Sequence, residues 1–353
     1  MWTYLLALLV PFTTSLLLSP LSGVMGRKLG IVDRPAGRRA HARETPRLGG
    51  VALFAACAVT IAVLAWRGLL TAGYSPDDCT RLKGLLLGGT AAFIFGLIDD
   101  RFDLPAAPQF AFQFLLALIA LASLLWLERF TLPVIGFVAL SDYVWGPLVY
   151  IPLTIIWVMG MVNTVNWLDG LDGLAAGVGA ILCLVLAIHM HRWGQHSVAL
   201  LPLALLGALL GFLPYNFAPA RVFLGSCGAF FLGYVLGGMG LIAGGRVATA
   251  LLVMGLPVVD VAWTICDRLR RKRSPTQADR SHLHFRLLDL GLSQRTVVLC
   301  YWGFCALFGL LALTVSSRIY KLLALGVLGI AVISLLTWLS FRNKECKPAS
   351  DGK

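Results

Sequence analysis

Charged residues are scarce in this chain. Asp, Glu, Lys and Arg supply only 13% of its 353 residues, against roughly 25% in an average soluble domain. Hydrophobic residues supply 58%, and the mean hydropathy is +0.83. A soluble globule of this size cannot bury so much apolar surface, which excludes a cytosolic enzyme, a small disulfide-built secreted domain and a disordered protein. The composition predicts a polytopic membrane protein.

Cysteine motifs are also missing. The chain has eight cysteines, but no two are spaced as Cys-x-x-Cys, and most lie within apolar runs. We interpret them as small apolar residues, which excludes a disulfide framework and a cysteine-based metal site. The net charge of +12 is attributed to the basic cytoplasmic loops of a membrane protein, so no nucleic-acid partner is expected.

Long apolar runs are abundant. Eleven segments are long and apolar enough to be read as spanning helices, and they predict an all-α polytopic membrane protein. They are 2–24, 48–66, 83–98, 109–127, 148–165, 173–191, 197–213, 223–243, 247–266, 295–315 and 319–341. The first has no basic segment before it and no small-residue cleavage site, which favours a spanning helix over a removed signal peptide. Segment 129–147 is interrupted by Pro and Gly, and its FTLPVIGFVAL stretch predicts a surface hairpin.

The basic residues predict the orientation. Most of the 29 Lys and Arg residues fall in the loops that follow odd-numbered spans and in the C-terminal tail. The positive-inside rule then places the N-terminus outside and the C-terminus in the cytoplasm. We expect one integral-membrane domain over 1–341 and a short basic cytoplasmic tail over 342–353.

The few acidic residues are concentrated on the side predicted to be cytoplasmic. Carboxylates near a membrane are costly unless they are paired, solvated or metal-bound, so such a concentration is a functional-site hypothesis. Nine of them lie at the cytoplasmic helix ends or loops: Asp99, Asp100, Asp103, Asp169, Asp172, Asp260, Asp267, Asp279 and Asp289.

The first polar group is FGLIDDRFD, which ends the third span. Its Asp99, Asp100 and Asp103 can converge on a divalent cation through oxygen ligands. They can equally supply a base whose pKa is set by its neighbour. A solvated helix end explains the same pattern without a function.

The second polar group is NTVNWLDGLDGLAAG, after the fifth span. Asn163, Asn166 and Asp169 recur every three residues and therefore share a helical face, which Asp172 extends. The neighbouring glycines permit close backbone approach to a ligand. The alternative is a purely structural polar network.

Two basic loops complete the predicted cytoplasmic face. Loop 267–293 contains His282 and His284, flanked by Arg280 and Arg286, and this combination suits a phosphate or pyrophosphate. Contact with anionic lipid is the alternative. Loop 33–47 contains a cluster of basic residues, here called the basic lip: Arg38, Arg39, His41, Arg43 and Arg47. Contact with a phosphate and the positive-inside rule explain this cluster equally well. On the opposite side, His189, His191 and His196 are interpreted as an ordinary loop.

These motifs, in this order, resemble the polyprenyl-phosphate N-acetylhexosamine-1-phosphate transferase family, a relative of the phospho-muramoyl-pentapeptide transferases. The matching stretches are DRPAGRRAHARETPRLGG, GLIDDRFDL, NTVNWLDGLDGLAAG, RVFLGSCGAFFLG, GLPVVDVAWTICDRLRRKRSP and DRSHLHFRLLDLGLSQR. They run from about residue 27 to residue 300. The last stretch is more similar to the N-acetylglucosamine branch than to the muramoyl branch.

The resemblance implies a reaction in a bacterial inner membrane. Undecaprenyl phosphate attacks the β-phosphate of a UDP-N-acetylhexosamine, most often UDP-N-acetylglucosamine, and UMP is released. It implies Mg²⁺, with Mn²⁺ as an alternative, and the family often forms homodimers. The expected metal ligands are Asp99, Asp100 and Asn166. Asp99, beside Asp100, is also the expected base or nucleophile-positioning carboxylate, and Asp100 and Asp103 complete the expected catalytic group.

The resemblance also implies substrate contacts. Asn166 corresponds to a residue near the metal and diphosphate, and Asp169 and Asp172 correspond to residues near the uridine. Asn163 is also expected to bind substrate. The diphosphate- or sugar-facing residues are expected in the two basic loops: Arg280, His282, His284, Arg38, Arg39 and His41.

Three positions depart from the family pattern. Ser226 stands where a FMGDxGS-like stretch has a metal-binding Asp, Gln109 stands where a Lys is usual, and Phe285 stands where a second His often follows HxH. Two hypotheses remain: an active transferase, or a weakened homologue that binds prenyl phosphate or nucleotide-sugar or scaffolds an assembly complex. A transporter would place its ionisable groups near the membrane midplane instead.

Overall fold

The computed structural model describes residues 2–33, 44–71, 73–132, 136–242, 247–270, 272, 282–315 and 317–345. The fold is 79% helical, which confirms the all-α prediction. The helices are α1 Trp2–Lys28, α2 Gly49–Trp66, α3 Pro76–Phe102, α4 Ala106–Ala122, α5 Pro147–Leu168, α6 Leu174–Arg192, α7 Leu200–Asn216, α8 Gly225–Ile242, α9 Val247–Val253, α10 Gly255–Arg270, α11 Leu283–Asp289, α12 Gln294–Thr314 and α13 Arg318–Glu345.

The long helices identify a multi-pass membrane protein. Within the described residues, seven helices are long and apolar enough to cross a membrane, namely α1, α2, α3, α5, α6, α8 and α12. Three shorter apolar helices lie at Ala106–Ala122, Leu200–Asn216 and Ile319–Ser334. Together with α9 and α10, these helices account for the eleven predicted segments, although only the seven satisfy the length criterion for a span on their own.

The segment predicted as one span over 247–266 is broken. It forms α9 and α10, and their axes differ by 81° across a break at Met254. Pro257 explains the break, because it has no N–H to donate and its ring clashes with the carbonyl four residues earlier in a continuous helix. The predicted segment is therefore helical, but as a bent pair of helices and not as one continuous helix.

Helix α8 is the centre of the bundle and packs against α2, α3 and α5. Almost all of its residues are buried. Close approach of α3 depends on Gly96, where an added Cβ would lie 2.3 Å from the Cα of Cys227. This packing brings the C-terminal end of α3 against the N-terminal end of α8.

Two short antiparallel hairpins lie outside the helices. Strand β3 (Arg129–Leu132) pairs with β4 (Gly136–Ala139), which confirms the predicted hairpin. Strands β1 (Val32–Asp33) and β2 (Thr45–Pro46) also pair, and the sequence analysis missed them. The β1–β2 pair makes a further backbone contact, because the Phe223 amide donates to the Pro46 carbonyl at 2.8 Å. This hydrogen bond joins the α1–α2 connection to the α7–α8 connection.

Candidate active site

A polar pocket of about 350 Å³ lies where these connections meet, at one end of the bundle. Its volume is within the range of small-molecule sites. The residues that line it come from six separate connections or helix ends: Asp33, Arg47, Asp100, Asn166, Trp167, Asp169, Gly170, Leu171, Asp172, Asn216, Phe223, Gly225, Ser226, Phe285 and Gln294. The pocket therefore brings together described residues from several of the polar motifs.

Asp100 joins α3 to the first turn of α8. Its Oδ1 accepts the backbone N–H of Ser226 at 2.8 Å, and its Oδ2 accepts that of Cys227 at 2.9 Å. Free N–H groups at a helix N-terminus favour a carboxylate. Asp100 is buried but lines the pocket. Each of its oxygens keeps a lone pair for a ligand.

Gly225 makes this contact sterically feasible. Its φ is +74°, and an added Cβ would lie 2.0 Å from the Arg47 carbonyl oxygen and 2.8 Å from Asp100 Oδ2. Both the backbone conformation and the crowding require glycine. The sequence pattern of Gly225 followed by Ser226 therefore has a defined structural role even without the family's aspartate.

The other two carboxylates of the first group lie beside the pocket and are absent from its lining. Asp99 is buried, and its Oδ1 accepts a hydrogen bond from Gln109 Nε2 at 2.9 Å. Asp103 ends α3 in the left-handed region, with an exposed side chain. Arg47 reaches Asp103 at 3.1 Å and also forms an ion pair with Asp33. Arg47 thus connects the β1–β2 hairpin to the end of α3.

Three members of the second group line the pocket, namely Asn166, Asp169 and Asp172. Enclosure by the protein, with the negative charges of Asp100 and Asp172, raises the pKa of Asp169 well above its usual range. Asp172 accepts the Ala220 amide at 2.9 Å.

The fourth member of the second group lies inside the bundle. Asn163 forms a reciprocal pair of hydrogen bonds with Gln113 on α4, and its Nδ2 also donates to the Met159 carbonyl at 2.9 Å. It is absent from the pocket lining. The structural-network alternative is therefore the better description of Asn163.

The histidine run is anchored by Asp260 on α10. His282 Nδ1 lies 3.0 Å from Asp260 Oδ2, and the Leu283 amide donates to Asp260 Oδ1 at 2.8 Å. The His282 ring also lies against Trp167 of the pocket, with 5.2 Å between ring centroids. Asp260 therefore fixes the start of α11.

His284 faces the protein interior, whereas the next residue, Phe285, lines the pocket. Within the described part of the chain, neither ring nitrogen of His284 has a hydrogen-bond partner, and its ring is parallel to that of His282 with centroids 5.6 Å apart. Burial lowers the pKa of His284 to about 3. Its Nε2 lies 3.0 Å from the point where a Cβ on Gly170 would be.

Four of the expected substrate contacts belong to the two basic loops. Arg38, Arg39, His41 and Arg280 lie outside the described residues.

The sequence analysis did not single out several of the residues that line the pocket, although each has a weak indication in the sequence. Asp33 begins the DRPAG stretch, Arg47 belongs to the basic lip, and Asn216 is a polar residue at the end of an apolar span. Asn216 Oδ1 accepts the Gly173 amide and its Nδ2 donates to the Val222 carbonyl, both at 3.1 Å. It thereby holds two pocket loops together, which only the tertiary structure shows.

The donor set suits a hard divalent cation. Asp100, Asn166, Asp169 and Asp172 present carboxylate and amide oxygens to the pocket. Within the described ranges, no three His, Cys, Asp or Glu side chains form a ready metal cage. Mg²⁺ rarely uses such a cage, because it binds through one or two carboxylates, water and substrate phosphates. The residues therefore fit Mg²⁺ bound together with a phosphate ligand.

The bundle and its carboxylate-lined pocket define an integral-membrane protein with a polar, enzyme-like pocket at one end of its helices. Comparison with known families gives a narrower assignment. Residues 82–244 match the model of glycosyl transferase family 4, and relatives of that kind match over most of the chain. The chain belongs to this family.

Three relatives illustrate the match. A probable undecaprenyl-phosphate N-acetylglucosaminyl 1-phosphate transferase of Bacillus subtilis is 32% identical, over 88% of this chain and 84% of the relative. A decaprenyl-phosphate N-acetylglucosaminephosphotransferase of Mycolicibacterium smegmatis is 31% identical, over 84% and 77%. A phospho-N-acetylmuramoyl-pentapeptide-transferase of Shouchella clausii is 28% identical, over 89% and 98%. These names agree with the resemblance drawn from the motifs.

Proposed function

We propose that this protein transfers N-acetylglucosamine 1-phosphate from UDP-N-acetylglucosamine to undecaprenyl phosphate at the cytoplasmic face of a bacterial inner membrane. The main observation behind this proposal is a pocket lined by polar residues from separate parts of the chain, namely Asp100, Asn166, Asp169 and Asp172. The names of the relatives supply the substrate class. The distribution of Lys and Arg supports the orientation.

The charge of the pocket supports a requirement for Mg²⁺, with Mn²⁺ as the alternative. Four carboxylates, Asp33, Asp100, Asp169 and Asp172, line the described part of the pocket beside a single guanidinium, that of Arg47. An anionic diphosphate is repelled by such a surface unless a cation lies between them. Asp100 and Asn166 would hold Mg²⁺ here, and the ion would supply neutralisation of the negative charge on the diphosphate.

The reaction exchanges one phosphoanhydride bond for another. An oxygen of the lipid phosphate bonds to the β-phosphorus of the UDP-sugar, the bond from that phosphorus to the bridging oxygen breaks, and UMP leaves with the electron pair. A phosphate monoester is largely ionised at neutral pH, so the nucleophile needs little proton removal. Asp100, which lines the pocket, is accordingly the carboxylate that positions the nucleophile, and Asp99, held by Gln109, fixes the end of α3 beside it.

The uridine end of the substrate is assigned to the second polar group. Asp169 and Asp172 offer acceptors for ribose hydroxyls and for the base N–H. Trp167 and Phe285 offer ring faces on which a pyrimidine can stack. The apolar faces of the surrounding helices leave the prenyl chain in the bilayer, so the lipid phosphate approaches from the side.

The test is transfer of labelled sugar phosphate by the purified protein in detergent. Undecaprenyl phosphate, Mg²⁺ and labelled UDP-N-acetylglucosamine are supplied, and label is sought in a lipid product that appears with UMP. Asp100→Asn is expected to lower the rate by about 10²–10³, the usual loss for one charged transition-state contact. Asp77→Asn is the matched control, since Asp77 is exposed at the far end of the same helix α3.

Three outcomes separate the hypotheses. Product from the unmodified protein, lost in Asp100→Asn and retained in Asp77→Asn, supports the proposal. Product that is equal in all three proteins contradicts the assigned site. If the protein binds the UDP-sugar but forms no product, the transferase activity is contradicted. That result favours the hypothesis of a weakened homologue, which the residues Ser226 and Gln109 raised.

A further inference from the structure

A second polar cluster lies at the opposite end of α1. The Tyr4 hydroxyl is 3.0 Å from His191 Nδ1 and 3.0 Å from His196 Nδ1, and the two Nδ1 atoms are 3.2 Å apart. Tyr4 is in the first turn of α1, His191 is in the last turn of α6, and His196 follows in the α6–α7 connection. Three elements therefore direct one donor atom each to the same point.

The cluster is separate from the pocket. Helix α1 runs from Trp2 to Lys28, and at 1.5 Å per residue Tyr4 is about 36 Å from its other end, which leads into the β1–β2 hairpin. Both histidines are exposed, and Tyr4 is partly exposed. The cluster is therefore accessible from solvent on the far side of the bundle.

Hydrogen bonding alone satisfies these three contacts poorly. A neutral imidazole Nδ1 is either a donor or an acceptor, and the phenol has one proton. If both Nδ1 atoms are acceptors, their lone pairs face each other at 3.2 Å. If one is protonated, its N–H donates to the phenol oxygen and the phenol O–H donates to the other ring, which leaves the contact between the two Nδ1 atoms without a proton of its own. If both rings are charged, they repel each other.

A bound cation satisfies all three donors at once. Tetrahedral zinc has Zn–N distances of about 2.0–2.1 Å, so its ligand atoms are about 3.3–3.4 Å apart. The three ligand atoms here are 3.0–3.2 Å apart, which is close to the distance between ligand atoms in a tetrahedral zinc site. Two imidazoles and a phenol suit Zn²⁺, Cu²⁺ or Ni²⁺ rather than Mg²⁺ or Ca²⁺.

We propose that Tyr4, His191 and His196 form a site for a divalent transition metal, with Zn²⁺ as the first candidate and water in the fourth position. Within the described residues, no group of three His, Cys, Asp or Glu side chains forms such a site, so the phenol is the third ligand. The site binds more weakly than a closed site of four thiolates or imidazoles. A bound ion links the start of α1 to α6 and stabilises the bundle at this end.

The proposal is tested with full-length protein that carries no polyhistidine tag and has been stripped of metal with a chelator. Zn²⁺ binding is measured by titration calorimetry in excess Mg²⁺, which occupies the carboxylate pocket. The visible absorption of bound Co²⁺ gives a second, geometry-sensitive readout. The unmodified protein is expected to bind one ion and to gain apparent thermal stability.

Variants identify the ligands. His191→Asn and His196→Asn are each expected to weaken Zn²⁺ binding at least tenfold, and Tyr4→Phe is expected to weaken it by a smaller factor. His189→Asn is the matched control. His189 is two residues before His191 in the last turn of α6, and its Nδ1 lies within hydrogen-bond distance of the Thr249 hydroxyl instead. Gel filtration checks that each variant is folded.

Two results overturn the proposal. One is an unmodified protein that binds no Zn²⁺, Cu²⁺ or Ni²⁺ under these conditions. The other is a His191→Asn, His196→Asn double variant that is monodisperse and binds Zn²⁺ as tightly as the unmodified protein. Because the readouts are metal affinity and thermal stability, both results can be distinguished from a failure of the transferase activity.

Discussion

Gln109 Nε2 donates a hydrogen bond to Asp99 Oδ1 across 2.9 Å, from the start of α4 to the end of α3. The same amide donates to the Leu104 carbonyl at 3.0 Å, so the side chain contacts both the last turn of α3 and the α3–α4 connection. Gln109 thus supplies, without a charge, a donor for the buried carboxylate at the position where the family usually has a lysine.

Gln109→Ala is expected to lower kcat/KM for sugar-phosphate transfer by about ten- to a hundredfold. Loss of a hydrogen bond to a charged group removes about 1.5–3 kcal/mol, and about 1.4 kcal/mol corresponds to a factor of ten in rate. Gln109→Lys keeps a donor within reach of Asp99 and is expected to remain within a few-fold of the unmodified protein. Equal activity of Gln109→Ala and the unmodified protein would show that this contact does not serve the reaction.

Ser226→Asp is expected to tighten the apparent affinity for Mg²⁺ at least about tenfold, because a carboxylate is a much better ligand than a hydroxyl for a hard cation. Ser226 lines the pocket next to Asp100. Ser226→Asn is the matched neutral control of the same shape and is expected to leave the Mg²⁺ dependence unchanged. Both are measured as initial rate against Mg²⁺ concentration. If the two variants shift that dependence equally, the metal does not lie beside residue 226.

Gly225→Ala is expected to abolish most activity and to lower the apparent Tm. Its Cβ would collide with the Arg47 carbonyl and the Asp100 carboxylate, in addition to the backbone cost of about 1–2 kcal/mol for a left-handed residue. Gly30→Ala is the matched control, because Gly30 has a similar φ of +69° but open space at its Cβ position. Similar losses in both variants would mean that backbone strain, and not the clash, governs Gly225.

Acidification is expected to destabilise the protein through His284. Burial holds its folded pKa at about 3, below the ordinary value of 6.5. Below pH 6.5 the unfolded chain therefore binds a proton that the folded chain does not, and the stability falls with pH until about pH 3. This amounts to about 2 kcal/mol at pH 5. The apparent Tm at pH 7 and pH 5 is compared with that of His284→Phe, which is expected to lose less stability between the two. An equal loss in both proteins would exclude His284 as the cause.

Much of the fold follows from hydropathy alone. A bilayer requires long apolar helices whose backbone groups are satisfied internally, so runs such as 48–66 and 148–165 give helices close to those observed, Gly49–Trp66 and Pro147–Leu168. The hairpin near residue 136 was also predictable, because Pro and Gly interrupt an otherwise β-rich stretch. Asp100, Asn166, Asp169 and Asp172 were recognised as candidate site residues because a carboxylate near lipid costs free energy unless it is paired, solvated or metal-bound.

The sequence did not determine which polar residues reach the pocket. Asn163 and Asn166 lie on one helical face by spacing, yet Asn163 pairs with Gln113 in the interior while Asn166 lines the pocket. The bend at Met254 and the position of Asp260 against His282 depend on packing between distant segments.

The sequence by itself therefore determined most of the helices, the class of protein and the polar motifs that supply the pocket, because these depend on local hydropathy and on motif order. Only the tertiary structure decided that Asp100 caps α8, that Gln109 holds Asp99, and that Tyr4 meets two histidines far from the pocket. Those contacts join residues that are distant in the chain or lie on different elements, and no local pattern specifies them.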